Sequence, residues 1–181
     1  MPARKDMPPC FVALDFETAA YTRDSACAIG LVRMEDGKVA ASKAFYIRPP
    51  SREFYFTWLH GISWDMVKDA PTFAGLLPML GPWLDGAGFI AAHNASFDRS
   101  VMNRTCERYG LNAPDHPYVC TVQVARDVWG IYPTKLPNVC ESLGIDLSHH
   151  HSAEHDALAC AMIVQRALDK LGPARFAARF L

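Results

Sequence analysis

The stretch FVALDFETA, residues 11–19, contains the feature that decides the fold and raises the question of function. Residues 11–14 form an apolar run, which predicts a buried strand that ends at about Asp15. Residues two apart in a strand point to the same face, so Asp15 and Glu17 would project side by side. Two like charges held this close repel each other, and burial raises that cost. The usual resolutions are a shared proton or a bound cation.

The bulk composition indicates one globular domain. The chain has 181 residues, half of them hydrophobic, which suits a single core of ordinary size. The net charge of −1 and the pI near 6.6 argue against a large basic surface for long duplex DNA, because such binding is mostly phosphate neutralisation. A small site that takes the end of a strand remains compatible with this charge.

Several absences in the sequence indicate a cytoplasmic protein. No apolar run approaches the roughly 18 residues of a membrane span, and the stretch MPARKDMPPC lacks the apolar segment of a secretion signal. The six cysteines are scattered without a C-x-x-C pair, so free buried thiols are expected rather than disulfides or a zinc site. We expect residues 1–9 to form a flexible tail and residues 10–181 to form one domain.

The order of predicted elements indicates an α/β fold. Three strands come first, at about 11–15, 25–34 and 38–48, and the last two are joined by a hairpin turn at 35–37. Short strands follow at 88–92 and 118–120. Helices are expected at 64–67, 71–84, 96–110, 121–129, 136–144 and 153–171. Pro78 and Pro82 predict a break or kink in the second helix, and the chain ends ten residues after the last one. This order predicts a layered domain with a mixed central sheet.

Two further segments supply carboxylates. Asp98, in AAHNASFDRSVM (91–102), follows a buried strand at the start of a helix, where the helix N-terminus stabilises negative charge. In isolation, Asp98 is best interpreted as an ordinary first-turn acid. Asp156, in HHHSAEHDALACA (149–161), lies near the start of the long helix.

The histidines around Asp156 are compatible with more than one kind of structure. Three consecutive histidines are commonly a solvated loop, and with His155 they could form a transition-metal site. His151 and His155 are four residues apart and could share a helical face, but His155 then projects differently from Asp156.

The four acids together predict a metal site. Collected at one point, Asp15, Glu17, Asp98 and Asp156 would repel strongly unless divalent cations neutralised them. Oxygen ligands suit hard cations, so we expect two ions of Mg²⁺ or Mn²⁺. Such a site suits in-line phosphoryl transfer, in which one ion makes hydroxide from water and the other stabilises the leaving oxygen. A neutral histidine nearby can accept the proton of the water near pH 7.

Three motifs in order resemble the DEDDh 3′–5′ exonucleases. These are FVALDFETA, AAHNASFD and His151-x4-Asp156. The superfamily includes the epsilon proofreading subunit of bacterial DNA polymerase III, ribonuclease T and oligoribonuclease. The resemblance covers about residues 10–171, and the intervening SACAIGLV, LHGISWDMVKDAPTF, CTVQVAR and LPNVCESLGI also resemble bacterial proteins of the epsilon-like branch. It implies a ribonuclease H-like fold with a mixed five-stranded central sheet flanked by helices.

The resemblance also implies a role for each site residue. Asp15 would bridge both ions. Glu17 and Asp156 would hold the ion on the side of the nucleophile, and Asp98 would hold the other. His151 would be the general base, because only it has the four-residue gap to Asp156 that the family shows. A shifted alignment would instead select His149, His150 or His155.

This chain has ETAA at 17–20 where many of the family's members have ETTG, so the resemblance leaves the details of the pocket for the terminal nucleotide open. The expected substrate-binding residues are Phe16, Thr18, Ala19, Leu59, His60, Asn94 and Phe97. Trp58 or Phe97 could stack on a base or simply pack within the protein. Asn94 could contact the substrate or cap the helix.

The expected function is a metal-dependent 3′–5′ exonuclease that releases nucleoside monophosphates from single-stranded ends. DNA is favoured over RNA because the intervening segments resemble epsilon. The three motifs concern the phosphodiester, which both polymers share, whereas the 2′-OH distinguishes them. The alternatives are an RNA 3′-end-trimming enzyme similar to ribonuclease T or oligoribonuclease, and a catalytically silent binding factor. Expected partners are single-stranded DNA or RNA 3′ ends, with a DNA polymerase as a candidate and no membrane. Both a monomer and a homodimer are compatible with the sequence.

Overall fold

A five-stranded mixed sheet forms the centre of the computed structural model, which describes residues 10–148 and 150–181. The strand order is β3-β2-β1-β4-β5. The strands are β1 (Phe11–Thr18), β2 (Ala26–Glu35), β3 (Lys38–Tyr46), β4 (Ile90–Ala92) and β5 (Tyr118–Cys120). Strands β1–β3 form an antiparallel meander, whereas β4 runs parallel to β1 and β5 parallel to β4. The prediction of a mixed five-stranded sheet is confirmed. The expected tail at 1–9 and the alternative base His149 lie outside the described residues.

The helices flank this sheet. They are α1 (Thr57–His60), α2 (Trp64–Val67), α3 (Phe73–Leu84), α4 (Ala95–Arg108), α5 (Thr121–Trp129), α6 (Leu136–Leu143), α7 (Ala153–Leu171) and α8 (Pro173–Phe180). Two of them were not predicted: α1 is a single turn within an expected loop, and α8 follows α7 directly. Pro173 ends α7 but is well suited to the first position of a new helix. Phe176 then anchors α8 by packing against Phe89, with ring centres 5.8 Å apart.

The break expected in α3 does not occur. The helix runs without interruption from Phe73 to Leu84, with Pro78 and Pro82 inside it. The two prolines are exposed, one turn apart, whereas Leu76 and Leu80 are buried on the other side of the helix. Each proline removes one backbone N–H from the helix, and both prolines do so on the exposed face, away from the packed leucines. The packing of the apolar face therefore outweighs the local preference.

The prediction of free cysteines is confirmed. All six cysteines are free thiols, and four of them are buried. Among the described residues, no helix is long and apolar enough to cross a membrane.

The sheet separates two hydrophobic layers. In β1, Phe11 and Ala13 belong to the layer under α5–α8, whereas Val12 and Leu14 belong to the layer under α3 and α4. Asp15 and Glu17 continue the first of these alternating series, so both carboxylates lie on the face that α7 covers. The prediction that they share a face is confirmed.

Strand β1 projects beyond its neighbour β4. β1 continues to Thr18, three residues past its predicted end, because β2 pairs with it along its whole length. On the other side, β4 pairs only with Val12 and Ala13. The segment from Asp15 to Thr18 is therefore open on the side of β4, where the chain leaves the sheet to begin α4.

Gly30 of β2 allows α7 to approach the sheet beside Asp15. It is the ladder partner of Asp15. A Cβ at this position would overlap the backbone carbonyl of Ala153, the first residue of α7. The turn of α7 that carries Asp156 therefore rests directly on the backbone of β2, opposite Asp15.

We expect Gly30→Ala to lower the free energy of unfolding by about 2–3 kcal/mol, because neither the strand nor the start of α7 can shift without losing its packing. Urea denaturation measures this effect. The matched control is Gly75→Ala in α3, where a Cβ would make only an ordinary 3.4 Å contact with Pro71 and alanine favours the helix. Equal stabilities for the two variants would contradict the role given to Gly30.

Candidate active site

Most of the predicted site residues meet in a pocket of about 300 Å³ beyond the open end of β1. Its walls come from β1, α1 and the starts of α4 and α7. The lining residues are Asp15, Phe16, Glu17, Thr18, Phe56, Leu59, His60, Phe97, His151 and Asp156. The described surface has larger cavities, so the concentration of carboxylates, rather than volume, identifies this pocket as the candidate site.

Three carboxylates form its centre. Ligand oxygens of Asp15, Glu17 and Asp156 lie within 4.8 Å of one another. Burial, followed by the charges of Asp156 and Asp98, raises the pKa of Glu17 to about 8. Burial and then the charges of Asp98, Glu17 and Asp156 hold the pKa of Asp15 well above its usual range. The cluster therefore retains protons near neutral pH unless a cation compensates its charge.

Asp98 approaches β1 from the start of α4. Its side chain is 1% exposed, and its Oδ1 accepts a 3.0 Å hydrogen bond from the backbone N–H of Phe16. This bond is made in the part of β1 that β4 does not cover. Burial raises the pKa of Asp98 to about 7, against the lowering effect of hydrogen bonds from two backbone N–H groups and of the Arg23 charge. Asp98 is thus more than a solvated first-turn acid, although it lies behind the pocket wall and not on it.

His150, and not His151, places its ring against Asp156. His150 Nδ1 donates to Asp156 Oδ1 at 2.9 Å, whereas His151 donates its backbone N–H to Oδ2 at 3.2 Å. The two imidazole rings stack with centres 3.8 Å apart. This arrangement depends on the left-handed backbone of His151, with φ 68°, which the run of histidines does not reveal.

His151 faces the pocket and is exposed. Partial burial and the neighbouring His150 lower its pKa, and they outweigh the opposite effect of Asp156. The ring is therefore neutral at pH 7 and able to accept a proton. His150, His151 and Asp156 also offer ligand atoms within 4.8 Å of one another. This second group shares Asp156 with the carboxylates, so the transition-metal alternative stays a hypothesis. His155 contacts Ser152 instead, at 3.0 Å from its hydroxyl.

His60 connects α1 to the end of β1. Its Nδ1 accepts a 3.0 Å bond from the backbone N–H of Ile62, so in the neutral ring Nε2 carries the proton. Nε2 then donates to the Thr18 carbonyl at 3.2 Å. Burial and, to a smaller extent, His151 lower the pKa of His60. Both ring nitrogens thus form hydrogen bonds to the backbone, so His60 presents only the face and the C–H edge of its ring to the pocket.

The other expected substrate-binding residues divide into two groups. Phe16, Thr18, Leu59 and Phe97 line the pocket, together with Phe56, which sequence reasoning missed. Ala19 and Asn94 do not line it.

Ala19 is only 1% exposed. Its backbone N–H donates a hydrogen bond to the Ser25 carbonyl, and its own carbonyl accepts one from the backbone N–H of Tyr55. Asn94 is exposed and left-handed (φ 63°), and it makes no side-chain cap for α4. Trp58 is 79% exposed and also lies off the pocket wall. Neither the capping alternative for Asn94 nor the packing alternative for Trp58 is therefore realised.

Comparison with known families assigns the chain to one of them. The chain matches the exonuclease family of the ribonuclease T type over residues 12–164, which is most of its length. It therefore belongs to the exonuclease family.

Two groups of relatives illustrate this membership. The chain is 32% identical over 166 residues to a PolC-type DNA polymerase III of Caldanaerobacter subterraneus subsp. tengcongensis, covering 89% of this chain and 12% of that protein. It is 31% identical over 166 residues to the 3′-5′ exonuclease DinG of Bacillus subtilis, covering 89% and 18%. The chain thus spans only a small part of the length of these relatives.

Solved structures confirm the ribonuclease H-like fold. Exonuclease X in complex with 5′ overhanging duplex DNA has a TM-score of 0.74 at 23% identity, covering 93% of this chain and 98% of that chain. The nuclease domain of 3′hExo, a DEDDh family member bound to rAMP, has a TM-score of 0.77 at 19% identity, covering 93% and 94%. The family match confirms the exonuclease family indicated by the three motifs, and these structures confirm the fold. Members of this family generally use two divalent metal ions, and the all-oxygen donor set described above fits such ions.

Proposed function

We propose that this domain hydrolyses single-stranded nucleic acid from the 3′ end and releases nucleoside monophosphates. The observation that carries the proposal is the convergence of Asp15, Glu17 and Asp156 within 4.8 Å, beside His151, in a pocket at the open end of β1. A pocket of about 300 Å³ suits one terminal nucleotide and excludes a duplex.

The four carboxylates are proposed to hold two divalent cations, Mg²⁺ or Mn²⁺. The charges of Asp98, Glu17 and Asp156 all raise the pKa of Asp15, so Asp15 is close enough to each of them to share ions with them. Glu17 and Asp156 would share one ion with it, and Asp98 the other. When bound, the ions would generate hydroxide and stabilise the leaving oxygen. The carboxyl groups must release their protons to bind, so metal affinity should rise with pH.

The remaining residues position the substrate and move one proton. His151 accepts the proton of the attacking water at its free ring nitrogen, and its neutral state supports this role. His150 holds Asp156 in place through Nδ1. His60 fixes the Thr18 carbonyl, while Phe16, Leu59 and Phe97 contact the terminal nucleotide. Ala19 and Asn94 do not line the pocket, so substrate binding by these two residues stays a prediction.

DNA is the proposed substrate. The relatives named PolC-type DNA polymerase III and DinG support this choice. RNA trimming is the second candidate, because the similar 3′hExo nuclease domain is bound to rAMP. Association with a DNA polymerase follows from the PolC relatives as a further proposal. A cytoplasmic location is proposed from the six free thiols. The choice between monomer and homodimer stays open to measurement.

Matched 5′-labelled DNA and RNA oligomers test the proposal. With Mn²⁺ or Mg²⁺, we expect a ladder that shortens from the 3′ end, mononucleotide products, and no reaction in EDTA. Faster shortening of RNA than of DNA would favour the second candidate. Binding without shortening of either polymer would contradict the enzyme assignment and support the catalytically silent binding factor.

A further inference from the structure

Four exposed arginines surround the outer side of α4, and we call them the arginine face. They are Arg23, Arg99, Arg104 and Arg108. Arg23 lies in the loop between β1 and β2, and the other three lie on α4. The two cavities that these arginines line contain two acids, Asp24 and Glu107. The face is thus locally positive on a chain whose net charge is −1.

The arginine face begins at the active-site pocket. Phe97 lines that pocket, and the guanidinium carbon of Arg23 lies 4.1 Å from the centre of the Phe97 ring. Arg23, Arg104 and Arg108 together line a cavity of about 380 Å³. Arg104 also lines a neighbouring cavity of about 650 Å³ with Arg99. A continuous path therefore leads from the pocket along α4.

The contacts of these arginines leave them available to phosphate. Arg104 pairs with Glu107 and Arg108 with Asp24, each at 2.7 Å. Both pairs are substantially exposed, and exposed pairs of this kind contribute little to stability. A phosphate offers a guanidinium the same planar, two-point contact as a carboxylate, so it can replace one.

The remaining two arginines lie against aromatic rings: Arg23 over Phe97, and Arg99 over Tyr118 at 5.9 Å. A guanidinium stacked on a ring keeps the N–H groups at its edge free for an anion.

We propose that the arginine face binds the backbone phosphates of the substrate strand on the 5′ side of the terminal nucleotide. The proposal rests on the proposed function, since it requires the 3′ end to enter the pocket. The strand leaves over Phe97, meets Arg23 first, and then follows α4. From Arg99 to Arg108 the helix extends roughly 13 Å, the length of several stacked nucleotides at about 3.4 Å each. A protein of nearly balanced charge thereby holds a single strand with one local row of cations.

Binding of 5′-labelled oligothymidylates two to eight nucleotides long, measured by fluorescence anisotropy in EDTA, tests the arginine face without cleavage. We expect wild-type affinity to rise with length. The Arg104→Gln/Arg108→Gln variant should bind the longest oligomer with roughly tenfold lower affinity. Its plot of log affinity against log salt concentration should have a slope that is shallower by about 0.7 for each lost phosphate contact. Glu107→Gln should change binding in the opposite direction, because it removes a competing acid. Arg175→Gln, an exposed arginine of α8 on the other side of the sheet, is the matched control.

Hydrolysis of the p-nitrophenyl ester of thymidine 5′-monophosphate with Mn²⁺ separates this inference from the proposed function, because the ester fills only the pocket. Equal ester hydrolysis in wild type and arginine variants, with the length-dependent loss above, supports the proposal. Ester hydrolysis with unchanged oligomer binding in the variants overturns it and leaves the face for an acidic protein partner. Absence of ester hydrolysis in every protein overturns the proposed function, while the anisotropy series still decides whether the arginine face binds a strand.

Discussion

Asp15→Asn is expected to lower the rate of hydrolysis from the 3′ end by roughly 10³-fold or more. Asparagine preserves the shape of the side chain but removes the charge that would bridge two cations. Asp15 is also the carboxylate on which the charges of Asp98, Glu17 and Asp156 all act. The nuclease assay with labelled oligomers measures the loss. Activity within tenfold of wild type in a clean preparation would mean that the catalytic site has been wrongly assigned.

The same variant should be more stable than wild type in EDTA at pH 8. The neutral amide removes one of the like charges that face one another in the pocket, and no cation is present to compensate them. We expect its melting temperature to rise by several degrees under these conditions. Asp65→Asn is the matched control, because Asp65 is an exposed acid that pairs with Lys68 on the surface of α2. Loss of activity together with loss of stability would instead indicate a folding defect.

The raised carboxyl pKa values also predict how wild-type stability depends on pH. Folding raises the pKa of Asp98 from 3.8 to about 7 and that of Glu17 from 4.5 to about 8. The folded state therefore binds more protons than the unfolded chain between these limits. The stability that this extra proton binding contributes is complete below about pH 4. It is lost as the pH rises through the pKa values of the two groups in the folded state.

In EDTA, the free energy of unfolding should accordingly fall between pH 5 and pH 8, and Mg²⁺ or Mn²⁺ should reverse much of the fall. Asp15→Asn should show a shallower fall, whereas Asp65→Asn should behave as wild type. Denaturant unfolding at a series of pH values measures this. A wild-type stability that is constant over the window, with or without cation, would contradict the electrostatic description of the pocket.

His151→Ala is expected to lower kcat by about 10²–10⁴-fold, which is the usual contribution of a general base. Because the pKa of His151 is lowered, the wild-type rate should climb with pH along an acid limb centred below 6.5. The variant should lose that limb, and added imidazole should restore part of the rate. The pH–rate profile and imidazole rescue together separate proton transfer from a purely structural role.

His150→Ala provides the contrasting variant. His150 holds Asp156 through Nδ1 at 2.9 Å, so its loss should mainly weaken cation binding, by roughly 10–100-fold, with kcat recovered at saturating metal. His155→Ala, at an exposed position beyond the pocket, should remain close to wild type. If His150→Ala lost the acid limb and His151→Ala kept it, the base would be His150. Tight zinc binding that survives Asp15→Asn/Glu17→Gln would favour the histidine-based metal site.

The features that the sequence determined by itself are those set by local spacing. The alternation in FVALDFETA places Asp15 and Glu17 on one face of a strand because side chains in strands have a period of two. Helical periodicity located α4–α7 to within a residue or two. The order of three motifs indicated the exonuclease family, because each motif is short and contiguous.

The tertiary structure decided everything that depends on how distant elements pack. Asp98 became a buried acceptor for Phe16 only because β4 stops pairing with β1 at Ala13. Gly30 is required only because the first residue of α7 packs directly against its backbone. The choice between His150 and His151 as the partner of Asp156 followed from one left-handed residue, and the arginine face formed because Arg23 meets Phe97 across the fold. Such contacts join segments far apart in the chain, and their geometry is set by packing, which no local pattern of residues encodes.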